Sequence, residues 1–185
     1  MNSSSWKFRI ENYNCIGCPI SPEQDGFDAW KFTIPSGSGK VGYISCNHTK
    51  PLANRIQASF GISGPDVTTF LDGKEPFNTA TSANVGFCIS TSDFYGEFSR
   101  WWSKRRIRLI DILNYSISFE CSLTDLTQWQ NVNGKSADLY PTEFQNAKKS
   151  PAQIHVTFGA GGDFGHGIYS DNNSTIFRAS NIKLT

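Results

Sequence analysis

The sequence predicts an all-β fold, and three observations predict it. Apolar residues recur with a period of two in segment after segment, the pattern of strands with one dry and one wet face. Clusters of Gly, Pro, Asn and Asp separate these segments at short intervals. The composition, with 16 Gly, 8 Pro and 14% aromatic residues in 185, suits short strands and tight turns and excludes a coiled coil. At about 150 residues per domain, residues 1–185 read as one domain. About ten short strands at regular spacing give a single antiparallel two-sheet β-sandwich of jelly-roll type, with at most one short helix.

The elements follow in chain order. Trp6, Phe8 and Ile10 alternate with Lys7 and Arg9. Trp30, Phe32 and Ile34 form a second set, and Ile56, Ala58, Phe60 and Ile62 a third. Val85, Phe87 and Ile89 make a short strand. The clearest alternation runs Tyr115, Ile117, Phe119, Cys121 and Leu123, with Ser116, Ser118, Glu120 and Ser122 between them. Ile154, Val156 and Phe158 follow. In the last strand Phe177 and Ala179 share one parity and Ile182 and Leu184 the other, so a bulge is expected near Ser180. The single helix is expected from about Thr142 to Lys149, with Lys148 and Lys149 suiting its last turn and Pro151 beyond it.

Charge narrows the function. Charged residues make up 18% and the formal net charge is +1, so bulk attraction to nucleic acid or to a membrane surface is not expected. No run approaches the roughly 20 apolar residues of a membrane span. The first residues lack the basic and apolar regions of a signal peptide. Five cysteines cannot all pair within one chain. Cys15 and Cys18 form a C-x-x-C, read as a loop disulfide or as two free thiols. Cys46 and His48 offer a weaker route to a four-ligand zinc site.

Catalytic motifs fail on inspection. Gly134-Lys135-Ser136 resembles the end of a phosphate-binding loop, but Trp129 occupies the place of its first glycine. The stretch from Gly159 to Phe164 has Phe where a dinucleotide fingerprint needs Gly. Glu97 and Glu120 could face one another across strands, the one arrangement that would favour a glycosidase.

Four features remain. Arg100-Trp101-Trp102-Ser103 places adjacent indoles on opposite faces of a strand. One could enter the core while the other offers a flat plate to a sugar ring; the alternative is burial of both. The basic run Arg100, Lys104, Arg105, Arg106 and Arg108 could hold an anionic polymer, but reads better as an edge strand guarded by charge. The glycine-rich stretch from Phe158 to Gly167 displays Asp163 and His166, with Tyr169 nearby. These could bond sugar hydroxyls, or the stretch could be a glycine-shaped corner. Trp129, in a polar stretch, either caps the core or joins a surface.

Three segments together, R-W-W-S at 100–103, W-x-x-V-x-G at 129–134 and F-G-x-G-x-x-F-G-H-G at 158–167 with Ala160 at its third position, resemble a group of uncharacterised bacterial β-sandwich proteins. That resemblance implies an extracellular or surface location and carries no activity. The implied sandwich is similar, as an architecture, to galactose-binding-like and other jelly-roll carbohydrate-binding modules. Such modules often carry a structural calcium ion, but no ligand motif here supports one, and no cofactor is expected.

The leading expectation is therefore a non-catalytic glycan-binding domain. Trp101 or Trp102, Trp129 and Tyr169 would stack, and Arg100, Asp163 and His166 would bond hydroxyls of an oligo- or polysaccharide. It requires at least one of these aromatics to be exposed in a groove. The alternatives are a protein-interaction, attachment or structural β-sandwich, then a polysaccharide-active enzyme of sandwich fold, with nucleic-acid binding last.

Overall fold

The computed structural model describes residues 3–9, 15–66, 68–72, 83–160 and 165–185, without the side chains of 3, 71, 72 and 160. Ile10 and Asp163 lie outside the described residues. In chain order the strands are β1 (Trp6–Phe8), β2 (Cys15–Ile16), β3 (Glu23–Gln24), β4 (Ala29–Thr33), β5 (Lys40–Val41), β6 (Tyr43–Asn47), β7 (Arg55–Ser63) and β8 (Phe70–Asp72). They continue with β9 (Ala83–Ser90), β10 (Arg100–Ser103), β11 (Ile107–Arg108), β12 (Ser116–Ser122), β13 (Trp129–Asn131), β14 (Gln153–Ala160), β15 (Ile168–Ser170) and β16 (Ile176–Leu184).

Every named strand pair is antiparallel. The strands form a seven-stranded sheet ordered β1-β6-β14-β9-β10-β13, with β11 also on β9. A five-stranded sheet is ordered β12-β7-β16-β4-β3. The two larger sheets meet across a core of aromatic rings. Phe158 of the first stands edge-on to Phe177 of the second at 5.0 Å, Phe87 lies 5.6 Å from Phe60, and Trp6 lies 5.6 Å from Trp30. The alternation of β7 is complete, from Ile56 to Ile62 on the dry side.

Three differences from expectation have physical reasons. First, there are three sheets rather than two, the third being four-stranded and ordered β2-β5-β15-β8. Gly42 separates β5 from β6, and Gly165 and Gly167 (φ +74° and +93°) precede β15. The chain bends there and leaves the seven-stranded sheet for the smaller one. A Cβ on Gly167 would come within 3.1 Å of the Val41 carbonyl oxygen. The glycine-rich stretch is thus, where described, a corner.

Second, β9 is buried at all eight positions. Its outer side is covered by a second cluster of Tyr43, Cys88, Phe94 and Trp102, in which Phe94 comes from the loop between β9 and β10. Third, Tyr115 and Ile117, counted on the dry side of β12, are exposed. That strand is the edge of its sheet, so its first side chains lack the cover that a further strand would give.

The helix and the bulge fall where expected. α1 (Pro141–Lys149) starts on Pro and buries Phe144 and Ala147 against the core. The pairing of β16 with β7 shifts between Ser180 and Lys183, and Asn181 takes φ +54°.

Candidate functional site

The adjacent tryptophans of β10 do point to opposite faces, but both faces are dry. Trp101 is 0% exposed. Its ring stacks on Phe98 at 6.1 Å and meets Phe144 edge-on at 5.2 Å, and its indole N–H donates to the Phe98 carbonyl at 2.9 Å. Trp102 is 2% exposed, beneath Phe94 and the Arg100 guanidinium, which sits 5.1 Å from its ring. Trp129 is also fully buried, and its N–H donates to the Ser122 carbonyl at 2.6 Å. Tyr169 is buried in β15 and His166 is exposed.

None of Trp101, Trp102, Trp129 and Tyr169 is exposed in a groove, so the condition set from the sequence fails, the expected platform is lost, and a stacking site would have to use another ring. Arg100 lies over Phe94 and Trp102 instead of reaching a ligand with them.

The basic run is absorbed by local contacts. Arg105 donates to the Glu120 carbonyl at 3.0 Å and Arg106 to the Asn84 side chain at 2.8 Å. Arg108 holds Asp111 through two bonds, and Lys104 donates to Ser136. Burial pushes the Arg106 guanidinium down to about 9. Of the two glutamates considered as a pair, Glu97 is held by Lys135 at 2.8 Å and Glu120 by Arg55 at 3.1 Å.

Beneath the second cluster, His155 is fully buried between two hydroxyls, with Nδ1 2.7 Å from Ser45 Oγ and Nε2 2.8 Å from Ser90 Oγ. Burial, with Arg9 and Arg100 nearby, lowers its pKa to about 3. A neutral imidazole donates to one hydroxyl and accepts from the other. Enclosed in this way, His155 has no path to a substrate.

The outer face of the five-stranded sheet is different. Opposed residues there are small. Ser116 pairs with Gly61, Ser118 with Ser59, and Ser180 with Ser59 from the other side. Side chains this short leave a trough of about 450 Å3, floored by Ser59, Gly61, Ser63, Ser116 and Ser180. Tyr115 lines it with a side chain that is 75% exposed. Arg178 and Ile176 of β16 form another part of its wall.

The rim is held in place. Asn114 donates to Asp66 at 2.7 Å and accepts from the Gly64 N–H at 3.1 Å. Asp25 accepts from Arg178 Nε at 2.8 Å. A Cβ on Gly61 would come within 2.9 Å of the Tyr115 carbonyl oxygen, so the glycine allows the two strands their close approach beside the ring.

Sequence reasoning missed this trough because it placed Tyr115 in the core. The available signal was the run of serines and a glycine on the wet side of two paired strands, where long charged side chains are usual.

No carboxylate or histidine lines the trough. Among the described residues, no group of three or more His, Cys, Asp or Glu is placed to hold a metal ion, and Cys15, Cys18, Cys46 and His48 do not form a zinc site. Among the described residues no helix is long and apolar enough to cross a membrane. In comparisons with known proteins, no family model and no curated protein matches the chain. The three segments behind the resemblance to bacterial β-sandwich proteins serve the fold where they are described: a buried strand, a buried Trp before the turn at Gly134, and a glycine corner.

Proposed function

We propose that the protein is a non-catalytic glycan-binding domain whose binding face is the trough on the five-stranded sheet. One observation carries the reading. A floor of solvent-facing Ser hydroxyls lies beside an exposed tyrosine ring, in a depression the width of a few side chains. Hydroxyls exchange water for sugar hydroxyls at little cost, and an aromatic ring covers the C–H face of a pyranose. The Arg178 charge is already paired with Asp25, which favours a neutral saccharide over an acidic one. In this reading the third sheet extends one end of a jelly-roll-type sandwich, and the protein acts outside the cell or at its surface.

The test is a pull-down on a panel of soluble and insoluble polysaccharides, with and without a chelator. Tyr115→Ala removes an exposed ring and leaves the core untouched. It is expected to weaken binding about tenfold with an unchanged melting temperature. Ser59→Tyr fills the floor and abolishes binding. Binding that both variants retain would overturn the trough as the site, and no binding across the panel would overturn the glycan reading.

A second reading is favoured by an apolar strip of alternate residues on the edge strand β12 and just before it, Tyr115 and Ile117, which are 75% and 47% exposed. It makes the strip a protein-contact surface. Self-association on sizing, lost in Ile117→Ser and kept in Ser59→Tyr, would favour it.

A further inference from the structure

Two thiols that the trough does not use lie together on another part of the molecule. Cys15 sits in β2 opposite Val41 of β5. Gly17, with φ +71°, turns the chain after it, in the position where a type II turn requires glycine. A Cβ on Gly17 would only touch Gly39, so the requirement is one of backbone conformation. The turn carries Cys18 back over the same strand region. Cys15 Sγ donates to the Tyr43 carbonyl at 3.3 Å and Cys18 Sγ to the Lys40 carbonyl at 3.4 Å. The two thiols are also within hydrogen-bonding reach of each other.

They differ in access. Cys15 is buried and Cys18 partly exposed. Their chain neighbours Ile16, Gly17 and Pro19 line an open cleft of about 760 Å3. The other three cysteines, Cys46, Cys88 and Cys121, are buried.

We propose that Cys15 and Cys18 are a reversible dithiol–disulfide site, oxidised by low-molecular-weight disulfides at the partly exposed Cys18. The Cys18 thiolate attacks one sulfur of the small disulfide, forming a mixed disulfide and releasing the first small thiolate. The Cys15 thiolate then attacks the Cys18 sulfur, the Cys15–Cys18 bond forms, and the second small thiolate leaves. The two protein thiols lose two protons and two electrons, and the small disulfide gains both, becoming two thiols.

The surroundings suit the exchange. Through their mutual hydrogen bond the Cys15 thiol is lowered to about 7 and the Cys18 thiol is raised, so the pair holds one thiolate near neutral pH, and a proton passing from Cys18 to Cys15 puts it on Cys18, the sulfur that solvent reaches. Cys46, Cys88 and Cys121 differ from Cys18 in access, since all three are buried, which keeps those thiols out of the exchange. This site is independent of the glycan reading, and neither outcome below bears on the trough.

The reduced protein is incubated with glutathione disulfide, quenched by alkylation in denaturant and mapped by mass spectrometry. The number of alkylated thiols is expected to fall by two from the five of the reduced chain. The peptide holding Cys15 and Cys18 is expected to lose two hydrogens, and dithiothreitol to restore both thiols. In Cys15→Ser the reaction is expected to stop at a stable glutathione adduct on Cys18, and in Cys18→Ser no bond forms. Should Cys15→Ser fail to fold, the wild-type map decides alone. Continued alkylation of both residues at every ratio of oxidant, or loss of thiols from Cys46, Cys88 or Cys121 in preference, would overturn the proposal.

Discussion

His155 shows how a single buried side chain sets the pH response. Its ring is closed in by Tyr43 at 5.6 Å and Phe94 at 5.8 Å, and its two nitrogens are used by Ser45 and Ser90. Protonation would give both nitrogens a hydrogen and place a charge beside Arg9 and Arg100, so the folded-state pKa falls from 6.5 to about 3. The unfolded chain therefore binds more protons than the folded one in this range. The stabilisation is complete above the unfolded value and is lost as pH falls from 6.5 towards 3. At pH 5 the loss from this group amounts to about 2 kcal/mol relative to neutral pH. Urea midpoints of the wild type at pH 7.5 and pH 5 are expected to differ accordingly. In His155→Gln that difference shrinks, whatever the variant's absolute stability. A variant that kept the full wild-type difference would show that another group controls it.

At the level of single elements, β12 shows what an edge strand does with its open side. Its odd residues bond towards β7, as the Leu123 N–H to the Asn54 carbonyl and the Tyr115 carbonyl to the Ile62 N–H indicate, and its even residues point away. The chain covers the later part of that edge with its own side chains. Trp129 donates to the Ser122 carbonyl, Gln128 accepts from the Ser122 N–H, and Arg105 donates to the Glu120 carbonyl. The basic run is not an edge strand, since β10 lies between β9 and β13, but its Arg105 covers part of the edge of the other sheet. Arg105→Ala is expected to cost about 1 kcal/mol and to increase self-association by lengthening the open edge. Light scattering at high concentration measures this, and an equally monodisperse variant would refute the guarding role.

The same element explains how far the sequence could be read. Period two located β4, β7, β12 and β14, the bulge after Ser180 and the helix, because each depends on local alternation or on capping chemistry. It could not show that Tyr115 and Ile117 are left uncovered, since parity assigns a face but not what covers it. Nor could it show that the loop carrying Phe94 buries the face of Trp102. Both depend on contacts between segments distant in the chain.

Over the whole molecule, the aromatic residues are committed to cohesion. All five tryptophans are at most 2% exposed, which is why a site built on them from sequence fails; among the described residues the well-exposed rings are Phe27, Tyr95 and Tyr115. One core cluster runs from Trp6 to Ile182 and takes residues from all three sheets. Phe158 stands at its centre, edge-on to both Phe32 and Phe177 across the gap between the larger sheets. With a shared core, the sheets cannot lose their contacts one at a time, and the described parts of the chain should unfold as one unit. Phe158→Ala is expected to cost about 3–5 kcal/mol, a large share of the roughly 5–15 kcal/mol that holds a domain together. Tryptophan fluorescence and far-ultraviolet circular dichroism should shift together in that variant, because the indoles and the strands report on the same packed interior. Two separated transitions would mean that the larger sheets are held by independent cores, and the ring contacts between Phe32, Phe158 and Phe177 would then be incidental to stability.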